Sequence, residues 1–166
     1  GIPMGPLEMR SLAVHPQNSD VIFSTDHWSA IYKTENSGRS WRLVYRIPQE
    51  IPNTHEINAF AFAPSNPDVL YAGTEVVKGY LIDRPVPFDP TQPSQGMYKS
   101  VDGGGSWAAI NTGLESTLQN VNCMAVHPTN QDIVYIGMLN SGVYRTTDGG
   151  NTWSNRSSGI VVTDIR

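Results

Sequence analysis

The chain has 166 residues, enough for one domain with a sizeable core, and a formal net charge of −4 carried on only 16% charged residues. Such a balance offers no basic field to hold a nucleic acid or an anionic membrane surface, which argues against both as partners. The lone Cys123 excludes an internal disulfide and a cysteine-based zinc knuckle, and no apolar run approaches the roughly 20 residues that span a bilayer.

In chain order, residues 1–9 have neither a basic start nor an apolar stretch of signal-peptide type, and read as a lead, native or left from cloning. Residues 10–56 contain Ala13-Val14-His15-Pro16, then Asp20-Val21-Ile22-Phe23, then Thr34-Glu35-Asn36-Ser37-Gly38-Arg39-Ser40-Trp41. The same three pieces return in 57–119 as Ala61-Phe62-Ala63-Pro64, Asp68-Val69-Leu70-Tyr71 and Ser100-Val101-Asp102-Gly103-Gly104-Gly105-Ser106-Trp107. They return again in 120–159 as Ala125-Val126-His127-Pro128, Asp132-Ile133-Val134-Tyr135 and Thr146-Thr147-Asp148-Gly149-Gly150-Asn151-Thr152-Trp153.

The prolines at 16, 64 and 128 are 48 and 64 apart, and the tryptophans at 41, 107 and 153 are 66 and 46 apart. One insertion in the second repeat, residues 75–95, explains both long intervals. The remaining period matches a four-stranded propeller blade. In the third repeat, strands are predicted over 120–127, 133–137, 142–146 and 152–156, and the other repeats follow by alignment. The predicted fold is all-β: a partial β-propeller of three four-stranded antiparallel blades, with residues 160–166 as the first strand of a further one.

The Gly-rich turns fit Ser/Thr-x-Asp-x-Gly-x-Ser/Thr-Trp and resemble the Asp-box of the bacterial neuraminidase repeat, with Asn36 in place of Asp in the first copy. The resemblance takes in sialidases, sortilin-type receptors, xyloglucan-degrading glycoside hydrolases and a photosystem II assembly factor. It implies a propeller fold and a secreted or periplasmic location, but no single reaction. Physically, Asn36, Asp102 and Asp148 can accept amide protons of their own turns. Gly38, Gly104 and Gly150 can take positive φ, and Trp41, Trp107 and Trp153 can pack between sheets. These residues are therefore read as a folding device, and neither a metal nor a cofactor is expected. The glycines at 103–105 lack the Lys-Ser/Thr and the helix that phosphate cradling needs. His15 and His127 occupy equivalent repeat slots, which favours a structural role for both.

Propellers close with about four to eight blades. Three blades leave the ring open, so either the chain belongs to a longer propeller or copies associate as a homo-oligomer, a dimer giving six blades.

Function is expected on the face formed by 25–29, 47–56, 75–95, 111–119 and 138–141. The 75–95 insertion carries Tyr80, Asp83, Arg84 and Phe88, aromatic and polar groups suited to a carbohydrate or protein ligand. A second cluster is Asp26-His27-Trp28. Thr25-Asp26 resembles the catalytic Thr-Asp of the xyloglucan-degrading enzymes, although His27 and Trp28 replace their glycines and their second carboxylate lies in another domain. Glu50, Glu56, Glu75 and Asp83 are partners for Asp26 by topology. Tyr45-Arg46-Ile47-Pro48 resembles the sialidase Arg motif, but it follows Trp41 in what should be an outer strand, without the companion arginines. The leading expectation is a non-catalytic binding module that uses Asp26, His27, Trp28 and the insertion. The alternatives are a glycoside hydrolase using Asp26 with a second carboxylate, and a purely structural assembly module.

Overall fold

A computed structural model describes residues 8–47, 55–76, 96–114 and 120–160. Tyr80, Asp83, Arg84 and Phe88, together with Glu50 and all of the expected terminal strand but Ile160, lie outside the described residues. Within them there is no helix. The strands are β1 (Met9–Val14), β2 (Ile22–Asp26), β3 (Ala30–Thr34), β4 (Arg42–Arg46), β5 (His55–Ala63) and β6 (Asn66–Val76). They continue as β7 (Met97–Ser100), β8 (Ala108–Ala109), β9 (Val121–Val126), β10 (Val134–Met138), β11 (Gly142–Thr146) and β12 (Ser154–Asn155).

These strands form three four-stranded antiparallel sheets, β1-β2-β3-β4, β5-β6-β7-β8 and β9-β10-β11-β12, each a simple meander. The first strands β1, β5 and β9 lie side by side, so the sheets are successive blades. All three inner strands slip register at the same place, after Met9, Ile57 and Val121, leaving Arg10, Asn58 and Asn122 as the extra residues. A bulge of this kind turns a side chain out of the ladder toward the sheet end.

Alternation along β5 splits the core in two. Phe60 and Phe62 join Phe23, Ile31 and Ile57 between the first and second blades. Ala59 and Ala63 join Tyr71, Met97, Val121 and Tyr144 between the second and third. Among the described residues, the middle blade is thus packed on both faces and each outer blade on one. Burying an aromatic or large aliphatic side chain contributes roughly 1.5–3 kcal/mol, so these two layers hold the blades together.

The β3–β4, β7–β8 and β11–β12 turns share one geometry. Asp148 Oδ1 accepts from Thr146 Oγ1 at 2.7 Å and Thr152 N at 2.9 Å, and its Oδ2 accepts from the Thr152 hydroxyl at 2.6 Å. Asp102 repeats this with Ser100 and Ser106, and Asn36 Oδ1 accepts likewise from Thr34 Oγ1 and Ser40 N while its Nδ2 donates to Ser40 Oγ. The donors from Ser106 and Thr152 hold the Asp102 and Asp148 carboxyls down at about 2. Gly38, Gly104 and Gly150 take φ of 84°, 87° and 93°. The two repeat histidines also serve turns, His15 Nδ1 accepting from Gln17 N at 3.1 Å and His127 Nδ1 from Thr129 N at 3.3 Å.

Candidate functional site

β2 ends at Asp26 and β3 begins at Ala30, leaving His27-Trp28-Ser29 as the connecting turn. Thr25 and Asp26, expected in the loop, belong to the strand, because the ladder runs on through Thr25↔Ile31 and Met9↔Asp26. Asp26 is 0% exposed. Its Oδ1 accepts from Trp28 N at 2.8 Å and Ala30 N at 2.9 Å, and its Oδ2 accepts the Tyr32 hydroxyl at 3.2 Å. Burial, and then the nearby Asp26 carboxylate, push the Tyr32 phenol up from its ordinary value. Asp26 thus holds the tight turn, in which Ser29 adopts a φ of 58°.

The turn is also fastened to the next blade. Ser29 Oγ donates to His55 O at 2.7 Å and Thr25 Oγ1 to Ile57 O at 3.1 Å. On its outer side, Arg46 Nη1 donates to Trp28 O at 2.6 Å. The arginine of the Tyr45-Arg46-Ile47-Pro48 stretch therefore sits on the outer strand β4 and braces this turn. With the backbone pinned, the His27 and Trp28 rings lie against each other, centroids 4.3 Å apart at 48°. His27 Nδ1 and Trp28 Nε1 have no hydrogen-bond partner.

Beside these rings stands a charged cluster. Glu56 near the start of β5 faces Glu75 in the β5–β6 register, and its buried carboxylate pairs with Arg10, the bulge residue of β1. Arg10 also reaches Glu8 at 3.4 Å. Burial pushes the Glu56 carboxyl up, Arg10 works against this, Glu75 adds to it, and His27 opposes it. Among the described residues, no group of three or more His, Cys, Asp or Glu could hold a metal ion.

Repeat alignment separates this site from the scaffold. Asp26 stands where the other blades have Thr74 and Met138, and Arg10 where they have Asn58 and Asn122. The blade itself therefore does not demand a carboxylate or a guanidinium at these places. The structure brings Asp26, His27 and Trp28 together with Arg10, Glu56 and Glu75. Arg10 was not among the expected site residues, and its departure from Asn at the bulge was the signal that marked it.

No protein-family model matches the sequence, and no curated protein matches it. Solved structures do match. An ancestral GH74 enzyme superposes with a TM-score of 0.63 at 24% identity, over 91% of this chain and 19% of that one. The GH74 xyloglucanase from Xanthomonas campestris gives 0.60 at 14%, over 88% and 23%. YCF48 bound to D1 peptide gives 0.60 at 14%, over 93% and 45%. The chain thus spans less than half the length of each of these. At such identities the likeness shows the fold, which is that of β-propeller blades.

Proposed function

We propose that the chain is a three-blade segment of an Asp-box β-propeller that works by binding, with the ligand held on the face of His27 and Trp28. The observation that carries this reading is the state of Asp26. Its Oδ1 accepts twice within its own turn, its Oδ2 accepts from Tyr32, and the side chain is fully buried, so it positions the two rings and presents no exposed oxygen to a substrate. The rings, tilted 48° to one another, supply a half-buried aromatic surface, and Arg10, Glu56 and Glu75 supply charge beside it. Tyr80, Asp83, Arg84 and Phe88 of the insertion belong to the same proposed face. A protein segment is the first choice of ligand, since charged and aromatic groups lie together here and the similar YCF48 fold is bound to a peptide. A glycan is the other. The ring is completed by a second copy or by further blades.

A glycoside hydrolase is the second reading, favoured by Glu56, whose buried carboxyl is pushed up as a general acid requires, with Glu75 facing it. Titration of Trp28 fluorescence with peptide and β-glucan or sialoside panels tests both. Binding lost in Trp28→Ala but kept in Asp26→Asn, with no glycan cleavage, is the expected result. Glycan hydrolysis that disappears in Asp26→Asn or Glu56→Gln overturns the binding reading in favour of the enzyme.

A further inference from the structure

The joint between the first and second blades differs from that between the second and third at one pair of places. Arg10, the bulge residue of β1, pairs across the first joint with Glu56 near the start of β5. At the second joint the corresponding places hold Asn58 and Asn120. The backbone keeps the same correspondence, since Glu8 O accepts from His27 N at 3.2 Å in the first blade and Asn120 O from Leu139 N at 3.0 Å in the third. Two neutral carboxamides therefore suffice at these places, and the blades themselves do not demand a titratable pair.

What the charged pair adds is a link to the His27 and Trp28 turn. The carbonyls on either side of Glu56 are the ones that fasten this turn, His55 O accepting from Ser29 Oγ at 2.7 Å and Ile57 O from Thr25 Oγ1 at 3.1 Å. His27 N is tied to Glu8 O, and the Glu8 carboxylate lies 3.4 Å from Arg10. Among the described residues, the charged and titratable groups that face Glu56 are Arg10 from β1, Glu75 from β6 and His27 from the turn, with Glu8 on the far side of Arg10. Arg10 thus stands between a buried carboxylate, Glu56, and an open one, Glu8, whose side chain is 68% exposed. The Arg10 side chain is itself 37% exposed, so leaving Glu56 for Glu8 strands no buried cation. Glu56 depends on the pair far more. Burial favours its neutral acid, Arg10 opposes this, and Glu75 favours the acid further.

We propose that Glu56 is a proton switch on the ligand-binding face: on taking up a proton it releases Arg10 from the joint to Glu8 and the face, and on losing the proton it draws Arg10 back. The two-state element is the Arg10 side chain with its two carboxylate partners, and the trigger is a change of charge at one of them. Proton uptake makes the face more positive, so a peptide that presents a carboxylate there binds more tightly on acidification. The proposal rests on reading His27 and Trp28 as the surface that holds the ligand, and it adds the regulation of that surface.

The test needs no ligand. In the whole chain, the Glu56 carboxyl carbon, the Arg10 Nε and the Trp28 indole N–H are followed by NMR from about pH 8 to about pH 4, the Trp28 signal being assigned by its absence from Trp28→Phe. All three are expected to shift with one midpoint, above the 4.5 ordinary for a glutamate. The step should persist in His27→Gln, which removes the imidazole's own titration, and vanish in Glu56→Gln. It should vanish as well in Arg10→Asn with Glu56→Asn, which gives the first joint the residues of the second. Far-UV circular dichroism checks the fold of each variant, and this double variant replaces Glu56→Gln if the latter does not fold. An Arg10 or Trp28 signal that does not follow Glu56, or a step that survives in the neutral variants, overturns the proposal. A pH-flat Trp28 that still binds peptide in the fluorescence titration overturns the switch alone. A Trp28 that steps with pH but binds nothing overturns the ligand-binding reading beneath it.

Discussion

Tyr144 buries a phenol oxygen without a hydrogen-bond partner, whereas Tyr32, at the same place in the first blade, donates its hydroxyl to Asp26 at 3.2 Å. The difference arises because Met138 in the third blade stands where the first has Asp26. An unsatisfied buried hydroxyl costs about 1–3 kcal/mol, so the two tyrosines should respond oppositely to losing it. Tyr144→Phe is expected to be neutral or to stabilise by up to about 1 kcal/mol, and Tyr32→Phe to destabilise by about 1 kcal/mol. Urea melts of both variants check this, and a larger loss in Tyr144→Phe than in Tyr32→Phe would contradict it.

The Asp102 and Asp148 carboxyls, held at about 2 by the donors of Ser106 and Thr152, make the fold sensitive to acid. Because the folded values lie below the ordinary 3.8, the carboxylates favour the fold above that value, and their contribution fades as pH falls toward 2. Asn36 already fills the same role in the first blade without titrating. Asp102→Asn with Asp148→Asn should therefore keep the turns and flatten the dependence of melting temperature on pH between about 4 and 2. A double variant as acid-sensitive as the wild type would assign that dependence to other groups.

Much of this architecture was legible because each blade repeats the same physical solution. The Ala-x-x-Pro strand ends, the Asp20, Asp68 and Asp132 turns and the three tryptophans placed all three sheets. The outer strands were harder to bound. β12 is only Ser154–Asn155, against an expected 152–156, because just two residues pair with β11. Asp26 was expected in a loop, since sequence cannot show that its ladder with Met9 continues to the last residue. The ion pair of Arg10 with Glu56 was not visible at all, because it depends on a bulge that turns Arg10 out of β1 toward a residue of the next blade. Departure from the repeat, in Asp26 and Arg10 alike, was the available clue.

Gly104 and Gly38 are equivalent in sequence but not in surroundings. A Cβ on Gly104 would come within 2.7 Å of Phe23 of the preceding blade, whereas one on Gly38 would meet only its own Trp41, at 3.8 Å. Both carry positive φ, so Gly→Ala costs about 1 kcal/mol at each from the backbone alone. The clash adds about 1–3 kcal/mol at Gly104, as overpacking does in a close-packed interior. Thermal melts should therefore rank Gly104→Ala well below Gly38→Ala, and equal losses would mean that Gly38 too is covered in solution.

Burial of Glu56, which Arg10 only partly offsets, sets a pH dependence of the opposite sign to that of the acidic turns. Burial raises the Glu56 carboxyl above its ordinary 4.5, so its contribution is fully present below that value and is lost as pH rises through the folded value. Arg10 limits the loss by stabilising the charged form. In Arg10→Ala, Glu56 should titrate at still higher pH, read from its carboxyl carbon shift by NMR. At pH 7 the same variant leaves a buried carboxylate without its counter-charge and should lose about 2 kcal/mol or more, with Glu56→Gln added on top recovering most of it. At pH 5 the deficit of Arg10→Ala should be smaller, since a protonated Glu56 no longer needs the guanidinium. Equal deficits at the two pH values would show that Arg10 contributes by packing its methylene stem and not by charge.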